Sequence, residues 1–196
     1  MPAPYRGQPN SFTTEFDRSD PIAPLEKIGE SFGPGGFPPY QGDPDGPSGP
    51  VQPGGGAQII GMMQFTQPDG QKYDIFVPNV IDNLPLKLIQ VQITYSVPQG
   101  QQPGPSRVEI VDADPFAGGF IDITAQQVFT PTGPNDPTVF YEKWNGVIEP
   151  NPDWEVIQVE VPGRLDQVVI DTISIPEPTS LALVGIGALV VARRRR

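Results

Sequence analysis

Between Ala57 and Ile175 apolar and polar residues alternate repeatedly, and no stretch reads as a convincing helix. Successive side chains of a strand point to opposite faces, so this alternation predicts half-buried strands. Leu86 to Val97 is the clearest case, with Ile89, Val91, Ile93 and Tyr95 on one face and Gln90, Gln92 and Thr94 on the other. Ile59 to Gln67 puts Met63 and Phe65 opposite Gln64 and Thr66, and Lys72 to Val77 turns Tyr73, Ile75 and Val77 inward. Pro68-Asp69-Gly70 between them has turn chemistry, which predicts a hairpin. Further strands are expected at Arg107 to Val111, Phe120 to Phe129, Thr138 to Trp144, Trp154 to Val161 and Gln167 to Ile175. Phe140 and Trp144 face away from Tyr141, and the run Val168-Val169-Ile170 suits an interior strand. Seven to nine short strands over about 119 residues predict an all-β fold, an antiparallel β-sandwich of jelly-roll-like kind.

The flanks differ in kind. Residues 1–56 hold twelve prolines and eleven glycines without a Gly-X-Y period, so a disordered Pro/Gly-rich arm is expected there. Within it, Leu25 and Ile28 would share a face in one helical turn over Pro24 to Ser31. The sandwich is expected over 57–175, followed by a tail at 176–196.

The tail has three parts in fixed order. Pro176-Glu177-Pro178 comes first, then an uncharged apolar run from Leu181 to Ala192, then Arg193, Arg194, Arg195 and Arg196. A twelve-residue helix is about 18 Å long, short of the roughly 30 Å hydrocarbon core, so the run predicts a short hydrophobic helix that spans a membrane marginally. Basic residues beside a membrane segment stay on the cytoplasmic side, so the arginines act as a stop and the preceding chain lies outside. The two prolines keep the motif extended and separate from any helix.

On these residues the tail resembles a PEP-CTERM sorting signal, the substrate tag of exosortases in Gram-negative and related bacteria. The match consists of Pro176, Glu177 and Pro178 for the motif, residues 181–192 for the membrane segment, and Arg193 to Arg196 for the stop. The resemblance implies export, recognition by an exosortase-type processing enzyme, cleavage near the motif, and passage through the inner membrane to the envelope, surface or extracellular matrix. It implies nothing about the domain upstream. An amino-terminal leader normally accompanies such a tail, and Met1 to Asp20 carries no apolar run. Either the natural start lies upstream of Met1, or the chain is a fragment or a decayed copy.

Composition narrows the chemistry. The chain has no cysteine, so neither disulfides nor thiolate metal sites are available, and no histidine, which removes the commonest general base. Net charge is −11, and a surface of that sign repels phosphate backbones, so no nucleic-acid partner is expected. Three constellations are candidates for a site. Asp112 and Asp114, followed by Gly118 and Gly119, could share a calcium ion, against a plainer reading as a strand-ending turn. Tyr141, Trp144 and Trp154 could stack on sugar rings, against a plainer reading as core. Glu142, Asp153 and Glu155 are near enough in sequence to suggest a hydrolytic carboxylate pair, although so acidic a chain brings acids together by chance. The expectation is a non-enzymatic, exported structural or adhesive domain, with extracellular polysaccharide as a candidate ligand and no cofactor. The alternative is a secreted polysaccharide hydrolase.

Overall fold

The computed structural model describes residues 2–20, 23–34, 56–64, 70–79, 84–98, 105–114, 124–129 and 138–176. The strands are β1 (Ser11–Asp17), β2 (Glu26–Phe32), β3 (Gln58–Gln64), β4 (Gln71–Pro78), β5 (Leu86–Val97), β6 (Arg107–Asp114), β7 (Thr124–Phe129), β8 (Thr138–Ile148), β9 (Trp154–Val161) and β10 (Arg164–Ile175). They form two antiparallel sheets, a six-stranded one in the order β2-β1-β10-β5-β8-β7 and a four-stranded one in the order β3-β4-β9-β6. The chain crosses between sheets from β2 to β3, β4 to β5, β5 to β6, β6 to β7, β8 to β9 and β9 to β10. With β1-β10-β5-β8 in one sheet and β4-β9-β6 in the other, the expected all-β, jelly-roll-like sandwich is what the chain builds.

The alternating residues assign the faces. Ile89, Val91, Ile93, Tyr95 and Val97 of β5 enter the core with Val168 and Ile170 of β10 and Phe140 of β8. Across the sandwich they meet Tyr73, Ile75 and Val77 of β4 and Ile157, Val159 and Val161 of β9. Burying one such aliphatic or aromatic side chain is worth roughly 1.5–3 kcal/mol, so this set supplies the main drive to fold. Tyr95 and Phe140 stack with ring centroids 5.3 Å apart. β10 has a paired neighbour on both sides, β1 and β5, as its apolar run suggested.

Two sequence expectations are corrected. The first is the arm: Ser11–Asp17 and Glu26–Phe32 are strands of the six-stranded sheet. Proline and glycine abound on average, but Asn10 to Asp17 contains neither, and Phe12 and Phe16 alternate like the strands downstream. Both are buried in the shared core. The helical turn expected over Pro24 to Ser31 is replaced by β2, which pairs with β1 and leaves Ile28 exposed. Residues 35–55 of the expected arm lie outside the described residues, as does the helix expected over 181–192.

The second is Met63, expected on the buried face and found 61% exposed. The pairing of β3 with β4 shifts between Ile59 and Gly61, so Ile59 opposes Ile75 but Gly61 opposes Asp74. One extra residue reverses the phase of everything after it, which turns Met63 outward beside Lys72.

Arg18, just after β1, ties the sheets together at one corner. Its guanidinium donates to the Leu165 carbonyl at 2.6 Å, the Tyr73 hydroxyl at 2.7 Å and Gln71 Oε1 at 3.1 Å, and also to the Ala23 carbonyl. Gln71 Oε1 in turn accepts from the Leu165 amide at 3.0 Å. At the other end of β1, Gly33 passes so close to Gln8 that a Cβ would lie 1.7 Å from the Gln8 carbonyl oxygen, so only glycine fits.

Candidate functional site

The described chain ends where its chemistry is most specific. β10 runs to Ile175, and the next residue is Pro176. Ser174 opposes Lys87 and Ile175 opposes Leu86, so the ladder with β5 is closed to its last residue. On the other side, the Ser174 amide donates to the Asn10 carbonyl at 3.2 Å. Asn151 completes a clamp: its Nδ2 donates to Ser174 Oγ at 3.0 Å and to the Leu84 carbonyl at 3.1 Å, and its amide donates to the Pro85 carbonyl at 2.9 Å. Pro176 has no amide hydrogen, which stops the ladder there. Glu177, Pro178, residues 181–192 and Arg193 to Arg196 lie outside the described residues.

The strand that delivers the motif is also fixed by a buried carboxylate. Asp171 of β10 has no exposure and sits on the outer face of the six-stranded sheet. Arg6 reaches it with Nε and Nη2, each at 2.7 Å, and Thr13 Oγ1 donates at 2.7 Å. Gln92 Nε2 adds a longer bond at 3.3 Å, and Gln92 Oε1 accepts from the Tyr141 hydroxyl at 2.6 Å. The Tyr5 hydroxyl donates to the Asp171 carbonyl at 3.2 Å, and burial, then the Asp171 charge, raises its pKa above the usual phenol range. The amino-terminal segment is therefore bonded to the same strand that leads into the tail. Nothing local in the sequence marks this network, because Arg6 and Asp171 are 165 residues apart and Arg6 lies in a stretch rich in proline and glycine.

The three aromatics that are candidates to stack on sugar rings are not brought together. Trp144 turns inward, packs against the core and donates from Nε1 to Glu142 at 3.2 Å. Tyr141, three residues earlier, stands half-buried on the opposite face of the same strand. Trp154 is on the four-stranded sheet, 5% exposed, with its ring 5.8 Å from Phe76 and Val156 beside it.

Of the candidate calcium ligands, Asp112 lies within β6 rather than in a turn after it, and its Oδ1 accepts from the Ala113 amide at 2.9 Å. Asp112 and Asp114 oppose Val156 and Trp154 across the ladder with β9, and the side chain of Asp114 is outside the described set. Among the described residues no cluster of three metal-ligating side chains occurs.

The carboxylates of the hydrolase alternative are separated. Glu142 points into the sandwich and accepts from Tyr95 at 2.9 Å and from Ser106. Burial, then this bond and the Glu142 charge, raises the Tyr95 pKa above the usual phenol range. Glu155 is on the other sheet, wholly buried and paired with the equally buried Lys87. Glu142 opposes Ile93 on β5, while Lys87 is six residues earlier on that strand. That is about 20 Å of strand, well beyond the roughly 5–9.5 Å of a glycosidase pair. Asp153 contributes its carbonyl, which accepts from the Asn79 amide at 3.0 Å. Lys87 and Glu155 occupy inward positions of otherwise apolar alternations, which is the signal that marks them in the sequence.

Compared with known families, residues 174–196 match the family model described as the PEP-CTERM protein-sorting motif. The match begins inside β10, at Ser174, and takes in all three parts of the tail. Such a motif implies export, processing by an exosortase and sorting to the cell envelope. No curated protein and no solved structure matches the chain.

Proposed function

We propose that this chain, which carries a PEP-CTERM sorting motif, is a displayed structural module whose sandwich passes through the inner membrane system and is held at the cell surface or in the extracellular matrix. The supporting observation is how the described polar groups are used. Asp171, Glu142, Asn151 and the Lys87–Glu155 pair all bond within the fold, and Trp144 and Trp154 pack into it. A domain built this way offers its surface and its rigidity. In a matrix the abundant neighbour is polysaccharide, so the adhesive part of the reading takes polysaccharide as its partner. Of Tyr141, Trp144 and Trp154, Tyr141 is the one on an outer face with partial exposure.

Cell fractionation followed by mass spectrometry tests sorting. A species in the envelope or medium lacking Arg193 to Arg196 is expected; an intact chain confined to the cytoplasm sinks the reading. Pull-down on extracellular polysaccharide tests adhesion, with Tyr141→Ala, Trp144→Ala and Trp154→Ala as variants. Retention that falls at least several-fold in Tyr141→Ala, without release of reducing ends, is expected. Release of reducing ends would favour the hydrolase instead.

A further inference from the structure

We propose that β3 is a docking edge for a second copy of this chain, the two β3 strands pairing antiparallel about a two-fold axis at Met62. The inference goes beyond the sorting reading and does not depend on it. β3 ends the four-stranded sheet and is paired with β4 on one side; among the described residues no strand pairs with its other side. An edge strand presents free amide and carbonyl groups, and charged side chains are a common guard against unwanted pairing there. β2 and β6, also at sheet ends, carry that guard: Glu26, Lys27 and Glu30 on the first, Arg107, Glu109 and Asp112 on the second. Gln58–Gln64 has no charged residue, in a chain of net charge −11. Met62 opposes Tyr73, a core residue, so it faces the inner side of the sheet, yet it is 60% exposed. The inner face of β3 thus overhangs the core, and apolar surface left in water favours association.

A second copy fits this edge in one register. Directly opposed residues share a face of a sheet, so a two-fold axis relating two antiparallel strands must fall on a residue and not between two. The bulge between Ile59 and Gly61 confines regular pairing to Gly61 onward, which leaves Gly61, Met62 and Met63 as centres. On the outer face Gly61 opposes Asp74 and Met63 opposes Lys72. An axis at Gly61 sets the two Asp74 residues at the ends of one row, and an axis at Met63 does the same with the two Lys72 residues. An axis at Met62 gives rows that run Lys72, Met63, then Gly61 and Asp74 of the second copy, with opposite charges at the ends. Met63, 61% exposed, then lies over a glycine that has no side chain to obstruct it, and the two Met62 side chains cover each other on the inner face. So few paired residues bury less than a standard interface, which makes the dimer weak and concentration-dependent.

The test uses the full chain in detergent and has two arms. Sedimentation velocity over a micromolar-to-millimolar series should show a monomer–dimer equilibrium, weakened at least tenfold by Met62→Lys. Monomer throughout overturns the inference, and so does a dimer that Met62→Lys leaves intact, which would place the contact in the apolar tail or on another surface. The second arm exploits the absence of cysteine from the chain. Opposed Cα atoms in an antiparallel pair are about 4.5–5.5 Å apart, within disulfide range, whereas the two Met63 positions lie on a diagonal of about 7–8 Å, at or past its limit. Under mild oxidation Met62→Cys should therefore form a disulfide dimer severalfold faster than Met63→Cys, and faster than Ile28→Cys on the exposed part of β2. Equal rates at Met62 and Met63, or a faster rate at Ile28, overturn the proposed register and with it the inference.

Discussion

Asp171 and Glu155 are both carboxylates with no exposure, and the fold treats them differently. Asp171 lies on an outer face, where a guanidinium whose side chain is 31% exposed reaches in and grips both oxygens. Thr13 and Gln92 complete the set. Glu155 lies between the sheets, where Lys87 bonds Oε2 and Oε1 has no hydrogen-bond partner. An outer-face acid can recruit donors from a crossing segment, and an interior acid has only what the two sheets bring to it. Desolvation is harder to offset in the second setting, because the attraction of one partner must cover the loss of water on both.

The contrast is sharpest when one partner is removed. Glu155→Ala leaves the Lys87 ammonium buried without its acid, and a loss of about 3–5 kcal/mol is expected in denaturant unfolding. The double replacement Lys87→Met with Glu155→Leu should recover most of that loss, since a well-packed apolar pair costs no desolvation. If the double variant is as unstable as the single one, the pair's electrostatics are not what matters. Asp171→Ala removes a charge-assisted network whose guanidinium can return to water, so a smaller loss of about 2 kcal/mol is expected. Limited proteolysis should then cut within residues 2–10 first, because Arg6 and Tyr5 both bond Asp171. Equal losses at the two sites would erase the distinction between outer and inner acids.

The smallest effect is in pH dependence. Burial raises the Glu155 carboxyl above its ordinary value, and the Lys87 charge opposes that rise without cancelling it. The folded state thus holds this proton more tightly than the unfolded chain does. The stability it contributes is fully present below the ordinary carboxylate pKa and is lost as pH rises through the raised one. Unfolding of Glu155→Gln should lack this decline, and a variant that keeps the slope of the natural protein would assign it to another group.

The same two sites show what could be read in advance. Glu155 and Lys87 interrupt apolar alternations at inward positions, so their burial was legible, although their pairing across sheets was not. Asp171 stands at an outward position of a legible strand, but its partner Arg6 belongs to a segment whose proline and glycine content concealed β1 and β2. Strand identity on β4, β5, β8 and β9 followed from period two alone, because packing on one face enforces it. Met63 escaped because a single inserted residue in β3 reverses facing without leaving a mark in the alternation. The tail was legible because its chemistry is local and ordered, while the placement of the three aromatics was legible in part: alternation sets Tyr141 and Trp144 on opposite faces of one strand, but nothing local puts Trp154 on the other sheet.

One consequence concerns the order in which the fold can form. Thr13 and Asp171, bonded to each other across β1 and β10, are 158 residues apart in the chain. A topology dominated by such distant pairings belongs to the slow-folding class, because loop closure must precede any gain from contact. Until the last strand arrives, β1 and β5 face a gap at the middle of their sheet. A chain emerging amino terminus first therefore cannot complete this sheet early, and closure coincides with arrival of the strand that leads into the sorting motif.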